Sequence, residues 1–293
     1  GTIAAMAPGE RRTFTLARGE VLELASAGPT TCPAGRETTQ TSGGTTFRYC
    51  DTGAEHDLTG TVLRANGRLA VFSGHDCTFV PFDRWACDHL EEQLFPVESL
   101  GRSAFVAATH PLRREPNLLR VVSAADDNAI SFIPEIAPGR TLALGEWMEV
   151  ELREGVRVEG TGALLAAIYL VGQDYAGLGS AGRLGNGDPA MALAIPDAQY
   201  RWSYAFLAPS TYEQSWVDVI APTGMRVVLD RDVVRDWREI PGTGWSTASM
   251  QIEPGVHRVD AERAFGLQVY GFGAYTSYLV PGGLDFRPIT PPF

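Results

Sequence analysis

Residues 142–172 read LALGEWMEVELREGVRVEGTGALLAAIYLVG, and this stretch decides the fold. Apolar and polar side chains alternate in Trp147–Leu152, while Leu164–Val171 is a short run of mostly apolar residues. Glycine and charged residues lie between the two runs. Alternation with a period of two, and short apolar runs bounded by turn residues, are typical of β-strands. We therefore predict that both runs are strands of antiparallel sheets.

Runs of the same kind recur along the chain, and helical periodicity is confined to a turn predicted near Asp88–Leu94. Short strands with regularly spaced turn signals indicate β-sandwiches. We predict an all-β fold built from tandem antiparallel β-sandwich units with little helix. The further runs are Thr13–Leu16, Val21–Leu24, Leu69–Phe72, Ala104–Ala107, Leu118–Val122, Trp216–Ile220, Arg226–Leu229, Met250–Ile252 and Phe265–Tyr270.

An internal repeat emerges when segments of the chain are compared. Strand-like runs and turns recur in the same order, which predicts three tandem β-units covering residues 1–97, 98–190 and 191–293. The first unit lacks its opening strands or completes them from a segment before Gly1. The glycine-rich stretch Asp174–Asp188 is predicted to be a linker or surface loop, because its GLGSAG sequence precedes no helix. The matching segments are Gly101–Phe132 with Tyr200–Asp230, and Leu142–Gly172 with Ser246–Gly273.

Four cysteines form two local pairs, Cys32 with Cys50 and Cys77 with Cys87. Either each pair is a disulfide, or the second pair joins His75 and His89 in a zinc site. Structural zinc sites more often show CxxC or HxxxH spacing, and neither occurs here. The sequence therefore favours two disulfides in the first unit and an oxidising setting outside the cytoplasm.

Composition narrows the classes of function. The chain has 24 basic residues, all of them arginine, and 35 acidic residues, giving a net charge of −11 without any basic cluster. This balance argues against nucleic acid as a partner. No apolar segment is long enough to insert in a membrane. No metalloprotease, nucleotide-binding or hydrolase motif is present, so we predict no catalytic residues, no metal, no cofactor and no enzymatic activity.

The segment between the second pair of cysteines carries the candidate binding residues. An apolar loop closed by a disulfide presents large side chains in a pre-ordered form. The alternative is that the aromatic rings pack in the core, and that the flanking histidines and aspartates hydrogen-bond to the backbone of the turn. The candidates are Phe79, Phe82 and Trp85 in the loop and His75, Asp76, Asp88 and His89 at its neck.

Long phrases of the sequence resemble the N-terminal domain of the IgG Fc-binding protein family. They are VFSGHDCTFVP at residues 71–81, CDHLEEQLFPVESLG at 87–101, GDPAMALAIPDAQY at 187–200 and FGLQVYGFGAYTSYLVPGGL at 265–284. The resemblance covers about Phe14 to Phe286. It implies a secreted or surface-displayed β-rich module of larger adhesive or mucin-like proteins, and the all-arginine composition favours a bacterial member.

On these grounds we expect a non-enzymatic extracellular adhesion or interaction module that recognises a protein or glycan partner. The first alternative is a structural spacer or filament subunit in which neighbouring chains assemble by strand addition, at the incomplete opening of unit one. The second is a glycoside-active enzyme, since two carboxylates brought together by folding leave no mark in the sequence. The family resemblance does not imply that this member binds immunoglobulin.

Overall fold

The computed structural model describes residues 3–42, 44–177 and 187–291. Within these residues it contains twenty β-strands and three single-turn 3₁₀ helices, and every paired strand is antiparallel. The prediction of an all-β fold with little helix is confirmed. Most of the predicted glycine-rich linker, including residues 178–186, lies outside the described residues.

The N-terminal part of the chain forms two hairpins. The prediction of strands at Thr13–Leu16 and Val21–Leu24 was wrong. Alternation gives a segment one apolar face, but a β-strand also needs a neighbouring strand to pair with. No described strand pairs with either run. The turn predicted near Asp88–Leu94 was also wrong, because pairing with the preceding strand extends this segment. The strands are β1 Glu37–Ser42, β2 Thr45–Cys50, β3 Phe72–Phe79 and β4 Cys87–Gln93.

The middle of the chain is a sandwich of two four-stranded sheets, with strand orders β5-β10-β7-β8 and β12-β11-β6-β9. Alternate residues of both sheets point inward and form one buried core, including Leu119, Ile130, Val158 and Ile168. The strands are β5 Ser103–Val106, β6 Asn117–Ser123, β7 Asn128–Ile133, β8 Arg140–Leu142, β9 Trp147–Leu152, β10 Val156–Gly160, β11 Leu164–Leu170 and β12 Ala190–Leu193.

The C-terminal part is a second sandwich whose two sheets share the long strand β19. Its first half pairs with β13 and β15, and its second half pairs with β14 and β20. Val217, Val227, Val259 and Phe265 lie in a core between the sheets. The strands are β13 Arg201–Ala208, β14 Gln214–Pro222, β15 Val227–Leu229, β16 Asp232–Val233, β17 Arg238–Ile240, β18 Trp245–Ile252, β19 Gly255–Gly273 and β20 Thr276–Pro281.

The two sandwiches have the same strand connectivity. In the first sheet, β5-β10-β7-β8 corresponds to β13-β19-β15-β16. In the second, β12-β11-β6-β9 corresponds to β20-β19-β14-β18. The strand β19 thus takes the place of both β10 and β11, and β17 is an addition at the edge beside β18.

The core of the middle sandwich is completed by residues of the C-terminal one. Tyr270, Phe272 and Leu279 are buried among the inward-facing side chains of the middle sheets. Tyr270 and Phe272 lie two residues apart on β19. Since a β-strand places residues two apart on the same side, both rings enter the same interface.

A buried polar network also crosses this joint. The Tyr270 hydroxyl donates to Oδ1 of Asp218 at 3.0 Å and accepts from the backbone N–H of His110 at 2.7 Å. Nε2 of Gln268 donates to Oδ2 of Asp218 at 2.7 Å and to the carbonyl of Ala107 at 3.1 Å. Burial raises the pKa of Asp218 to about 7, although these hydrogen bonds favour its charged form.

Candidate functional site

Two disulfides stabilise the N-terminal hairpins. Cys32 and Cys50 are bonded with their Cα atoms 5.6 Å apart, and Cys77 and Cys87 with theirs 5.2 Å apart. The predicted pairing is confirmed. Since Cys77 and Cys87 are bonded to each other, neither offers a thiolate to a zinc ion. Within the described residues, no group of three or more His, Cys, Asp or Glu side chains is arranged to hold a metal ion.

The neck of the second disulfide loop begins with a β-bulge in β3. The register shifts between His75 and Thr78. Two residues of β3, Asp76 and Cys77, therefore lie opposite a single residue of β4, so β3 has one extra residue here. His75 and Asp76 are exposed. Nδ1 of His75 accepts the backbone N–H of Cys77 at 3.1 Å. The predicted histidine therefore contacts the backbone of the bulge, while the carboxylate of Asp76 lies on the surface.

The other side of the neck is the start of β4. Oδ1 of Asp88 accepts the backbone N–H of His89 at 2.7 Å, and Nε2 of His89 lies 3.3 Å from Oε2 of Glu91. Asp88 is half-buried and His89 is exposed. These are local contacts within a strand, of the kind that short polar side chains make around turns. The four polar candidates thus flank the loop without converging on one point.

The three aromatic candidates differ in their surroundings. Trp85 stacks on Phe47 with ring centroids 4.6 Å apart and planes inclined by 21°, and Phe79 packs edge-on against Tyr49 at 5.0 Å. Phe82, at the tip of the loop, keeps 46% of its surface exposed. The structure therefore combines Phe79 and Trp85 in a half-buried aromatic cluster and leaves Phe82 facing solvent.

The partners Phe47 and Tyr49 come from β2 and were missed from the sequence. Their signal was the alternation in TTFRYC, which places both rings on one face beside Cys50. Gln40 of β1 reinforces the contact, since its Oε1 accepts from the Tyr49 hydroxyl at 3.3 Å and from the backbone N–H of Trp85 at 3.4 Å. The first disulfide-bonded hairpin thus supports the loop of the second.

The loop is anchored on the middle sandwich through its backbone. The N–H of Gly172 donates to the carbonyl of Val80 at 2.8 Å, and that of Asp174 donates to the carbonyl of Trp85 at 2.9 Å. A Cβ at position 172 would lie 2.8 Å from the carbonyl oxygen of Ala86, so this close approach requires glycine. Val80 and Leu90 add apolar contacts with the sandwich.

Arg120 holds the preceding segment on the same sheet. Its Nη1 donates to Oδ2 of Asp57 at 2.9 Å and to the Thr59 hydroxyl at 2.8 Å, and its guanidinium lies 4.0 Å from the centre of the Trp147 ring. Burial raises the pKa of Asp57, but hydrogen bonds from Thr59 and the charge of Arg120 outweigh burial and keep it below its usual value.

An open groove of about 610 Å³ lies beside the loop. Its charged lining consists of three arginines and one glutamate, and Tyr175 lies beside them; the charged residues are Arg113, Arg114, Arg153 and Glu115. The guanidinium of Arg84, from the disulfide loop, lies 5.9 Å from the centre of the Tyr175 ring and makes the loop continuous with the groove. The sequence contains no such cluster of cations; folding assembles it from three separate segments of an acidic chain.

Behind the neck, Asp188 is almost completely buried. Burial, and secondly the negative charge of Asp88, raise the pKa of Asp188 to about 7. Asp188 is the last residue of the predicted linker Asp174–Asp188, and no sequence pattern marked it as buried.

Comparison with known proteins gives one match. The family model described as IgGFc binding protein matches residues 1–271. No curated protein and no solved structure matches the chain. Within the described residues, no helix has the length and apolar character needed to cross a membrane.

Proposed function

This chain belongs to the IgG Fc-binding protein family, and we propose that it is a secreted or cell-surface adhesion module that recognises a protein partner without catalysing a reaction. A binding-domain family and two disulfides are consistent with an extracellular setting. We further propose that its two sandwiches are repeats of one β-unit, which their equal connectivity supports, and that the chain comes from a bacterial surface protein.

The observation that carries the proposal is the pre-ordered loop of residues 80–86. A disulfide closes it, Trp85 is stacked on Phe47, and Phe82 is exposed at its tip. Large aromatic side chains held rigidly at a surface are common anchors of protein interfaces, because little conformational freedom is lost on binding. The adjacent groove is lined by three arginines and one glutamate, and one of these arginines, Arg153, pairs with Glu151 at 2.8 Å. The remaining excess of positive charge favours a partner with an acidic surface.

Binding to the immobilised chain of residues 1–293 tests the proposal, with purified IgG Fc as the first analyte because the family description names it. A set of purified extracellular proteins and a glycan array follow. We expect a protein analyte to bind, and Phe82→Ala to weaken its binding by about tenfold or more, as truncation of an interface anchor does. Trp85→Ala should act in the same direction, since it removes the support of the loop.

Phe72→Ala is the matched control, because Phe72 is 60% exposed on the same hairpin but lies at the far end of β3. It should leave binding unchanged. The Phe82 and Phe72 variants should melt as the wild type does, and Trp85→Ala should remain folded. Unfolding of Trp85→Ala would place Trp85 in the core, and Phe82→Ala would then remain the deciding variant. Binding of glycans alone, or equal effects of the Phe82 and Phe72 substitutions, would contradict the proposal.

The second candidate function is a structural subunit that assembles with other copies. It is favoured by the edge strand β13 of the C-terminal sandwich, which among the described residues pairs only with β19. Strand addition was expected from the sequence at a different place, the opening of the first unit. A glycoside-active enzyme remains a third hypothesis that no feature of the described residues favours.

A further inference from the structure

Asp188 and Gln173 are polar side chains that are buried without partners. They are 1% and 0% exposed. Among the described residues, neither carboxylate oxygen of Asp188 and neither amide atom of Gln173 has a hydrogen-bond partner. The backbone N–H of Gln173 is near the Asp188 carboxylate but lies outside hydrogen-bonding geometry. The large majority of buried polar side-chain atoms are paired, so these four atoms indicate that a ligand completes the site.

The two side chains lie where the pair formed by β11 and β12 ends, beneath the disulfide loop. Leu170 of β11 is opposite Ala190 of β12 at this end. Gln173 follows β11 and Asp188 precedes β12, each within three residues, so the antiparallel pair brings them together. The backbone N–H of Asp188 also donates to the Ser277 hydroxyl at 2.9 Å, which holds this segment against β20 of the C-terminal sandwich.

A second carboxylate faces this place from β4. Asp88 is two residues from Leu90 and therefore on the same side of the strand. Leu90 is buried in one apolar cluster with Val171, so this side of β4 faces the middle sandwich. Asp88 is close enough for its negative charge to act on Asp188. In the described part of the chain, no arginine or histidine side chain pairs with either carboxylate.

The ligand that suits this set of groups is a cation. Two carboxylates brought together away from solvent repel each other, and an opposite charge offsets the cost of burying them. A water molecule could accept and donate hydrogen bonds here, but it would leave both charges uncompensated. The carboxylate oxygens of Asp188 and the amide oxygen of Gln173 are ligands of the kind that bind Ca²⁺, which extracellular modules bind with Kd values of about 10⁻⁴–10⁻³ M.

We propose that Asp188 and Gln173 bind a calcium ion, with Asp88 adding negative charge beside it. No sequence motif marks this site, because its residues come from three segments, and its two carboxylates and one amide are not a group of three His, Cys, Asp or Glu residues. The ion connects the start of β4 to the middle sandwich and so stabilises the position of the loop of residues 80–86. This proposal does not depend on recognition through Phe82, because the ion binds beneath the loop rather than at its tip.

Hydrogen exchange of the chain of residues 1–293 tests the proposal, starting in EDTA and adding free CaCl₂ to roughly 10 mM in about 0.15 M NaCl. The amides of Gly172 and Asp174 should exchange more slowly as calcium binds, because both donate to carbonyl groups of the loop. The amides of β18 should not respond. We expect a midpoint at about 10⁻⁴–10⁻³ M calcium, and a smaller effect of MgCl₂ because Mg²⁺ gives up its waters reluctantly.

Asp188→Asn should raise the midpoint by about tenfold or more, because it removes the charged ligand. Glu92→Gln is the matched control. Glu92 is on the same side of β4 as Asp88, and burial raises its pKa to about 7, but it is hydrogen-bonded to the backbone of Gln93 and Leu193. This variant should leave the midpoint unchanged. The raised pKa of Asp188 describes the chain without the ion, so its pH dependence is measured in EDTA.

Four results would overturn the proposal: no response of the wild type to calcium over this range, an unchanged midpoint in Asp188→Asn, an equal shift in Glu92→Gln, or an equal response to magnesium. If Asp188→Asn fails to fold, Asp88→Asn decides the question, since loss of its charge should also raise the midpoint and an unchanged value would count against the site. None of these measurements needs a partner protein, so their outcome is separate from that of the binding test with Phe82→Ala.

Discussion

Replacing Tyr270 by phenylalanine removes one oxygen atom from the joint between the two sandwiches. Tyr270 is fully buried, and its hydroxyl both donates to Asp218 and accepts the backbone N–H of His110. Asp218 is fully buried as well, so water does not reach its carboxylate in the variant without a change in packing. The N–H of His110 would lose its acceptor, and Asp218 would keep only the donors of Gln268 and Ser249.

The expected loss follows from these two groups. A buried polar group left without its partner costs about 1–3 kcal/mol, and the effect is larger where the remaining group is charged. We therefore expect Tyr270→Phe to lower the free energy of unfolding by about 2–4 kcal/mol. Tyr175→Phe is the control, because its hydroxyl donates to Glu151 at the surface, and we expect a loss below about 1 kcal/mol.

The dependence of this loss on pH shows whether the hydrogen bond between Tyr270 and Asp218 causes it. In the folded wild type the pKa of Asp218 is about 7, above its ordinary value of 3.8, so ionising Asp218 lowers stability as pH rises between these values. The Tyr270 hydrogen bond favours the ionised form, and its loss should raise this pKa further. Urea unfolding at pH 5 and pH 8 should thus show a larger loss at pH 8. Equal losses at both pH values, or a loss no greater than that of Tyr175→Phe, would refute this account of the network.

Two further predictions concern the N-terminal hairpins and the buried carboxyl behind them. The disulfides span 18 and 10 residues, and reducing each should lower the free energy of unfolding by about 3 kcal/mol in the chain-entropy model. After reduction, hydrogen exchange should become faster in β1–β4 and stay slow in β14 and β18. Asp188→Asn should flatten the fall in stability between pH 4 and pH 7, because the raised pKa of Asp188 makes its ionisation unfavourable in the folded state; urea titrations at several pH values measure this slope.

The fold was predictable where apolar alternation was strong. Trp147–Leu152 was predicted with the bounds that β9 has in the structure. Thr13–Leu16 alternates as clearly and is not a strand, because pairing depends on residues distant in sequence. The reverse case is β4, Cys87–Gln93, which has few apolar residues and becomes a strand because the disulfide and β3 hold it in register.

The candidate site was predictable only in part, because some of its contacts join segments that are distant in sequence. The loop residues Phe79, Phe82 and Trp85 lie between two cysteines and could be recognised from local sequence. The support of the loop by Phe47, and the groove beside it at Tyr175, depend on contacts between segments far apart in the chain. The local sequence around Arg113 and Arg153 gives no indication that folding brings their charges together.

One difference between the sandwiches determines how their surfaces are connected. In the middle sandwich, β10 ends at Gly160 and the chain turns past Gly162, where a Cβ would lie 2.6 Å from that of Ala125. The C-terminal sandwich has no glycine at the matching positions, and β19 continues without a break. Val256, which is exposed, and Tyr270 in the joint therefore belong to one strand.

This continuity connects the first sheet of the C-terminal sandwich to the joint between the sandwiches through one strand. The loop at Phe82 is attached differently, through two backbone hydrogen bonds and a small apolar contact. Its side chains can consequently be exchanged at little cost to the sandwich cores, because surface substitutions away from buried features usually change stability only slightly. The loop and the joint between the sandwiches thus have separate structural supports, which is why substitutions of Phe82 and of Tyr270 can be tested independently.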